Sequence, residues 1–138
     1  MPPLVDDPSI TNDAEIWRRI PFNPKQMVYL YDENRWRPSS GAFLDSSDDG
    51  PMSALLGDGD TIDRALSGKW SDPPGSWFIA ALQAAEFRQD AQGIARDATP
   101  EDANHLLVFG RKTRPRMRRW AEHARWVAGQ TLPPPQTR

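Results

Sequence analysis

The chain has 138 residues, no cysteine and a formal charge of −2 from 17 basic and 19 acidic residues. This length fits one domain with a real core, and the lack of cysteine excludes disulfides, thiolate metal sites and a thiol nucleophile. No apolar run approaches the roughly 20 residues of a membrane span, and the N-terminus lacks the pattern of a secretion signal. We therefore expect a soluble, cytoplasmic protein that makes no membrane contact.

The small net charge hides an asymmetry along the chain. Residues 1–110 hold nine basic and eighteen acidic side chains, a balance of −9, whereas residues 111–138 hold eight and one, a balance of +7. Such a division indicates an acidic or basic partner, or docking of the basic segment on the acidic body of the same protein. Both alternatives stay open at this point.

The first third of the chain predicts an arm, a helix and a hairpin. Residues 1–10, rich in proline and aspartate, are typical of a mobile arm. Thr11 or Asn12 can cap a short helix that continues to Ile20 and stops before the following prolines. The β-branched and aromatic residues of 27–31 predict a strand, with a return strand at 35–37 and a further extended piece near 39–44. Residues 45–50 are expected to form a loop.

The rest of the chain alternates short strands and helices. Residues 52–56 are too short to classify, 60–66 predict a short helix, and 77–79 predict a strand followed by a helix near 84–90. A short bridge is expected at 94–95. The apolar run His105–Phe109 is the strongest strand candidate. Thr113 can cap a last helix over 115–128, with its apolar residues at helical spacing and a stop at Gly129.

These elements have no βαβ rhythm and predict an α+β fold. We expect a flexible N-terminal arm at 1–10, a single domain at 11–129 and a Pro-rich tail at 130–138. The domain would hold a small, mostly antiparallel sheet that contains both the 27–31 and the 105–109 strands. The amphipathic basic C-terminal helix would pack on this sheet through Met117, Trp120 and its alanines.

The basic segment is the first candidate binding surface. Its cations could neutralise several phosphates and give salt-sensitive, sequence-independent binding of nucleic acid. The alternative is a solvated helix face, and the acidic balance of the body argues against a polyanionic partner. The cations concerned are Arg111, Lys112, Arg114, Arg116, Arg118, Arg119 and Arg125.

A second candidate lies at the predicted hairpin. On a strand, Arg35 and Arg37 share one face and Trp36 takes the other. Arginine beside the hydroxyls of Ser39 and Ser40 suits a phosphate or carboxylate. The alternative is a hairpin edge whose arginines pair with acidic neighbours while the serines stabilise a turn.

His105 is the third candidate, because an imidazole at a strand start can act as a base or polarise a ligand. With Ser39 or Ser40 and an aspartate it could form a hydrolytic triad, although no Gly-x-Ser-x-Gly signature is present. A structural hydrogen bond is the alternative role. Two isolated histidines, and an incomplete calcium-loop pattern, predict no metal site. No phosphate loop or dinucleotide fingerprint appears, so no cofactor is expected.

Three stretches carry a resemblance. They are Ile16-Trp17-Arg18-Arg19-Ile20, the run Arg35-Trp36-Arg37-Pro38-Ser39-Ser40-Gly41-Ala42-Phe43, and Asn104-His105-Leu106-Leu107-Val108-Phe109-Gly110-Arg111-Lys112-Thr113. In this order the chain resembles a group of small uncharacterised bacterial cytoplasmic proteins, associated with accessory or conflict systems. The resemblance implies a shared fold and a site that joins Arg37, Ser39, Ser40 and His105. It implies no reaction.

The leading functional hypothesis is a non-catalytic accessory module of a bacterial conflict or defence system that binds a protein partner or self-associates. It rests on the charge asymmetry and on six tryptophans, since tryptophan and arginine are favoured interface anchors. One alternative is nucleic-acid binding through residues 111–125. The other is a small enzyme with a site around Arg37, Ser39 and His105.

Overall fold

A computed structural model describes residues 3–23, 25–44, 50–57, 62–72, 75–100 and 102–128. Outside the described residues lie 45–49 of the predicted 45–50 loop, the predicted helix start at 60–61, the predicted stop at Gly129 and the predicted tail at 130–138. The described chain forms eight strands, three α-helices and two 3₁₀ turns, at Ser40–Phe43 and Gly68–Ser71. The strands are β1 (Glu15–Pro21), β2 (Met27–Leu30), β3 (Arg35–Pro38), β4 (Met52–Leu56), β5 (Trp77–Gln83), β6 (Gly93–Arg96), β7 (His105–Phe109) and β8 (Arg125–Ala128). The helices are α1 (Ile62–Ala65), α2 (Ala84–Arg88) and α3 (Arg114–His123).

The α+β prediction is confirmed: one small domain is built on an antiparallel sheet with few helices. Six strands follow the order β6-β7-β4-β1-β5-β8, and β2 and β3 form a separate two-stranded sheet. The expectation that residues 27–31 and 105–109 share a sheet is therefore wrong. Among the described strands, those of the hairpin pair only with each other, and Trp126 Nε1 on β8 donates to Trp36 O at 3.0 Å, which holds the hairpin to the large sheet.

The predicted helix at residues 11–20 is wrong, because this segment enters the middle of the sheet as β1. Ile16 and Ile20 share a face in a helix and in a strand alike, so their spacing of four residues does not distinguish a helix from a strand. Seven residue pairs between β1 and β5 decide the outcome. Tertiary pairing outweighs local preference here.

The last helix is shorter than predicted. Thr113 caps it as expected, with its hydroxyl accepting from the Arg116 amide at 3.4 Å. The helix ends at His123 because Ala124 is extended, and residues 125–128 pair with β5 as an edge strand. The predicted extended piece at 39–44 is also different: residues 40–43 form a 3₁₀ turn that packs against α3.

Apolar side chains fill both faces of the large sheet. The larger cluster lies under α3 and the 40–43 turn and includes Ile20, Phe43 and Trp120. A smaller cluster, around Leu55 and Ile79, lies on the opposite face. No helix among the described residues is long and apolar enough to cross a membrane.

The segment before residue 11, predicted as a mobile arm, lies against the open edge of β6. The Asp7 amide donates to Ile94 O, the Ile94 amide donates to the Asp6 carboxylate, and Ile10 is buried. Covering an edge strand in this way satisfies its free backbone groups. Hydrogen bonds from the hydroxyl and amide of Ser9 lower the pKa of Asp7 below its ordinary value.

This geometry predicts an acid-sensitive contact. Because the folded state lowers the pKa of Asp7, its contribution to stability is present above the ordinary aspartate value and is lost as the pH falls through the lowered one. The gap in unfolding free energy between the wild type and Asp7→Asn should therefore be larger at neutral pH than in acid. Urea unfolding across this range measures it. A gap that is independent of pH contradicts the assignment.

Candidate functional site

A cleft of the described structure lies beside an interruption in the pairing of the large sheet. Strands β1 and β4 are neighbours, yet they pair at only two positions, Ile16 with Leu56 and Trp17 with Leu55. Beyond Trp17 no further residue of β1 pairs with β4. The Arg18 side chain bridges the gap, with Nη1 donating to Ser53 O at 2.8 Å and Nε donating to Ala42 O at 2.9 Å. The cleft that opens here, the split cleft, has a volume of about 880 Å³.

Neighbouring positions on β1 bring two arginines to this cleft. Arg18 leans toward the face that carries Ala42, and Arg19 leans toward the opposite face, where its Nε donates to Ala65 O at 2.6 Å. Adjacent strand residues point to opposite faces of a sheet, so an intact sheet would keep these side chains apart. Both line one cleft because the sheet is split at this point.

The far wall is formed by the 3₁₀ turn that follows α1. The Arg19 guanidinium lies 4.4 Å from the centre of the Trp70 ring, and Lys69 Nζ lies 4.6 Å from the same ring. Trp70 meets Trp77 edge to face at 4.6 Å between ring centroids. Cations held over an indole ring in this way are attracted by the negative face of its π-system.

Arg19 is further fixed by an ion pair with Asp102, at 3.1 Å between Nη2 and Oδ2. Both side chains are largely covered, with 15% and 11% of their side-chain surface exposed. Such a pair fixes the orientation of the guanidinium, and the negative carboxylate offsets part of the positive field that Arg19 presents to the cleft. Among the described lining residues the carboxylate of Asp102 faces four cations, which are Arg18, Arg19, Arg64 and Lys69.

His105 also lines the cleft, from the start of β7. Its Nδ1 lies 3.0 Å from Asp97 Oδ2 and 3.1 Å from Asp97 O. Both partners are acceptors, so Nδ1 is the nitrogen that carries the proton in the neutral ring. Nε2 has no hydrogen-bond partner among the described residues. The ring is held in a defined orientation with one nitrogen left for a ligand.

The other residues of the predicted His105 site do not reach this cleft. Arg37 Nη1 donates to Pro38 O, and Ser39 Oγ donates to Lys25 O at 2.7 Å. Ser40 begins the 3₁₀ turn. None of these three lines the cleft, so the structure does not bring Ser39 or Ser40 together with His105. Arg35 pairs with Glu33 at 2.9 Å, as the hairpin-edge alternative predicts.

The basic segment is largely engaged within the protein. Arg119 Nη2 forms an ion pair with Asp90 at 2.5 Å, and hydrogen bonding to this carboxylate raises the pKa of Arg119. Arg125 on β8 forms an ion pair with Glu15. The structure therefore supports the prediction of internal docking for part of the segment.

Two further cations of the segment also make internal contacts. Lys112 is buried, with 1% of its surface exposed, and its Nζ donates to Gly50 O and Gly110 O at 3.1 Å each. The prediction of Lys112 as a surface contact is therefore wrong, because the amine lies in the interior. Arg116 Nη1 donates to the backbone of Arg111. Arg111, Arg114 and Arg118 stay exposed and form no ion pair within the described chain.

Sequence reasoning missed most of the cleft. Arg18 and Arg19 lie in the segment that the sequence predicts as a helix, and Trp70 lies outside every predicted element. Lys69 and Arg64 carried no pattern of their own. The chain positions of these residues are far apart, so only the fold could show that they converge.

Comparison of the chain with protein-family models, with curated proteins and with solved structures yields no match. The resemblance to small bacterial proteins consequently stays a prediction, as do the cytoplasmic location and the protein partner.

Proposed function

We propose that this protein binds a phosphate-bearing ligand of nucleotide size in the split cleft. The observation that carries the proposal is the convergence of Arg18, Arg19, Arg64 and Lys69 on one cleft in a body of strongly acidic balance. Cations gathered in a cleft with low-dielectric walls raise the local concentration of anions. Phosphate, with its several acceptor oxygens, uses such a set more fully than a single carboxylate.

The size and lining of the cleft support the same class of ligand. A volume of about 880 Å³ lies within the range of roughly 300–1,000 Å³ that is typical of small-molecule sites. The Trp70 and Trp77 side chains supply an aromatic wall beside the cations. The polar residues Ser53 and Thr99 also line the cleft. A phosphate joined to a planar ring would use all three kinds of contact.

Isothermal titration with adenosine monophosphate, inorganic phosphate and adenosine as probes tests the proposal. We expect the monophosphate to bind best, inorganic phosphate more weakly and adenosine least, because the cations recognise the charged group. No heat from either phosphate probe overturns the proposal. Tightest binding of uncharged adenosine overturns it as well.

Lys69→Gln is the variant that reports on the cationic wall. Lys69 is exposed, so its replacement leaves the core intact. Losing one charge-assisted hydrogen bond should weaken monophosphate binding about tenfold. Arg118→Gln is the control, since it removes an exposed cation from α3, outside the cleft. Equal weakening in both variants would indicate general charge attraction and contradict a defined site.

A second candidate function is nucleic-acid contact along α3, favoured by Arg111, Arg114 and Arg118, which are exposed and form no ion pair with another described residue. The structure identifies the test variants, because Arg116 and Arg119 already hold internal contacts. If α3 contacts phosphates, the double change Arg114→Gln/Arg118→Gln should reduce the salt dependence of binding to a duplex probe by about two units of slope. An unchanged slope contradicts this function.

A further inference from the structure

We propose that His105 is the general base of a metal-independent cleavage of RNA, acting on a phosphodiester held in the split cleft. This inference rests on the proposed function, because the cleft must first hold the phosphate. It assigns a reaction to the histidine that lines the cleft. It differs from the predicted site around Arg37 and Ser39, neither of which lies there.

The geometry of His105 is that of an oriented base. Asp97 accepts from Nδ1, which places the proton on that nitrogen and leaves the lone pair on Nε2. Only 16% of the His105 side chain is exposed, so the ring is supported by the protein on most sides. A carboxylate partner also stabilises the imidazolium that forms when Nε2 takes a proton. Asp97 is thus a positioning residue.

A single base is enough for one particular class of substrate. Among the described lining residues, the only other acid–base group of carboxylate or imidazole type is Asp102, which is paired with Arg19. A nucleophile built into the substrate needs only deprotonation, because it is already close to the reacting phosphorus. The 2′-hydroxyl of RNA beside its own phosphodiester is such a nucleophile. DNA lacks it.

The reaction balances with these groups and water. His105 Nε2 takes the proton of the 2′-hydroxyl, and the oxygen pair forms a bond to phosphorus. The bond from phosphorus to the 5′ oxygen breaks, and its electron pair leaves with that oxygen, which takes a proton from water. The imidazolium then gives its proton to the hydroxide. The products are a 2′,3′-cyclic phosphate and a 5′-hydroxyl.

The cations of the cleft would act on the phosphorane-like transition state. Negative charge grows on the non-bridging oxygens as the 2′ oxygen attacks. Arg19 is fixed in advance by Ala65 O, by Asp102 and by the Trp70 ring, so it requires little reorganisation. Preorganised charge of this kind is worth most in a site with little water.

The test uses the full chain and four DNA oligonucleotides that each contain one ribonucleotide, one for each base. We expect cleavage after the ribonucleotide, with a 2′,3′-cyclic phosphate identified by mass spectrometry. An all-DNA oligonucleotide should bind, as measured by isothermal titration, and stay intact. Binding of the DNA without cleavage of any mixed oligonucleotide overturns this inference and leaves the proposed function standing. Absence of both binding and cleavage also overturns this inference, whereas the titration with adenosine monophosphate tests the proposed function separately.

Variants then distinguish a catalytic role of His105 from a purely structural role. His105→Gln should lower the cleavage rate at least about 100-fold while all-DNA binding is retained. Asp97→Asn should lower the rate less, again without loss of binding. His123→Gln is the matched control, because this histidine lies on α3 outside the cleft and should leave the rate unchanged. Cleavage that persists in His105→Gln, or that falls equally in His123→Gln, overturns the assignment.

Chemical rescue guards against a variant that is merely misfolded. His105→Ala leaves space where the ring stood, and added imidazole should restore part of the cleavage rate if a base is all that is missing. A folded variant that binds the all-DNA oligonucleotide but gains nothing from imidazole, alongside an active His105→Gln, counts decisively against the proposal.

Discussion

Replacing Phe43 by alanine should lower the free energy of unfolding by about 3–5 kcal/mol, the usual range for a buried phenylalanine. Phe43 is fully buried on the 3₁₀ turn beneath α3, with its ring centroid 6.2 Å from that of Trp120. Its removal leaves a cavity between the turn and the helix. The turn also supplies Ala42 O, which holds Arg18 at the split in the sheet.

Chemical denaturation followed by tryptophan fluorescence measures this loss. Phe22→Ala is a matched control, because Phe22 is 44% exposed and buries far less surface. We expect its loss to be clearly smaller, although its ring contacts Trp36 and Phe78. Equal losses for the two phenylalanines would contradict the placement of the 40–43 turn in the core.

Asp90→Ala should produce the second large loss of stability, about 1.5–3 kcal/mol for the hydrogen bonds of a buried charged group. Asp90 is 8% exposed and accepts from Trp120 Nε1 at 2.9 Å and from Arg119 Nη2 at 2.5 Å. Without the carboxylate the indole N–H has lost its partner in the core. That unpaired donor is the main source of the loss.

A double-mutant cycle measures how much of this loss comes from the contact of Asp90 with Trp120 and how much from its contact with Arg119. Trp120→Phe removes the N–H, so its coupling to Asp90→Ala should be large, whereas Arg119→Gln removes a half-exposed partner and should couple weakly. The control Asp32→Ala changes an exposed aspartate in the hairpin turn and should have little effect. Strong coupling to Arg119 and none to Trp120 would contradict this division.

Part of the fold could be predicted because its signals are local. The aromatic and β-branched residues around Tyr29 form a hairpin strand, and the apolar run beginning at His105 forms β7. Thr113 caps the start of α3, because its hydroxyl accepts from the backbone amide three residues later and needs no distant partner. The end of that helix could not be predicted from local signals. Residues 125–128 leave it to pair with β5.

Little of the candidate site could be predicted. His105 was identified by residue type, but Arg37, Ser39 and Ser40 were joined to it by composition alone and lie outside the cleft. Arg19 lies in a segment that the sequence predicts as a helix, and two isoleucines four residues apart fit both a helix and a strand. No short-range pattern distinguishes an arginine that enters a split sheet from one that faces water.

Composition and local patterns were enough to predict the class of the molecule, a cysteine-free α+β domain in which a basic segment follows an acidic body. They also predicted the elements that depend on neighbouring residues, such as the hairpin and the start of α3. The tertiary structure decided that Arg18, Arg19, Lys69 and His105 meet at one cleft. These residues come from β1, β7 and a 3₁₀ turn, and their meeting depends on strand pairing across long separations in the chain. Pairing of this kind is set by the whole sheet, including the point where β1 and β4 part.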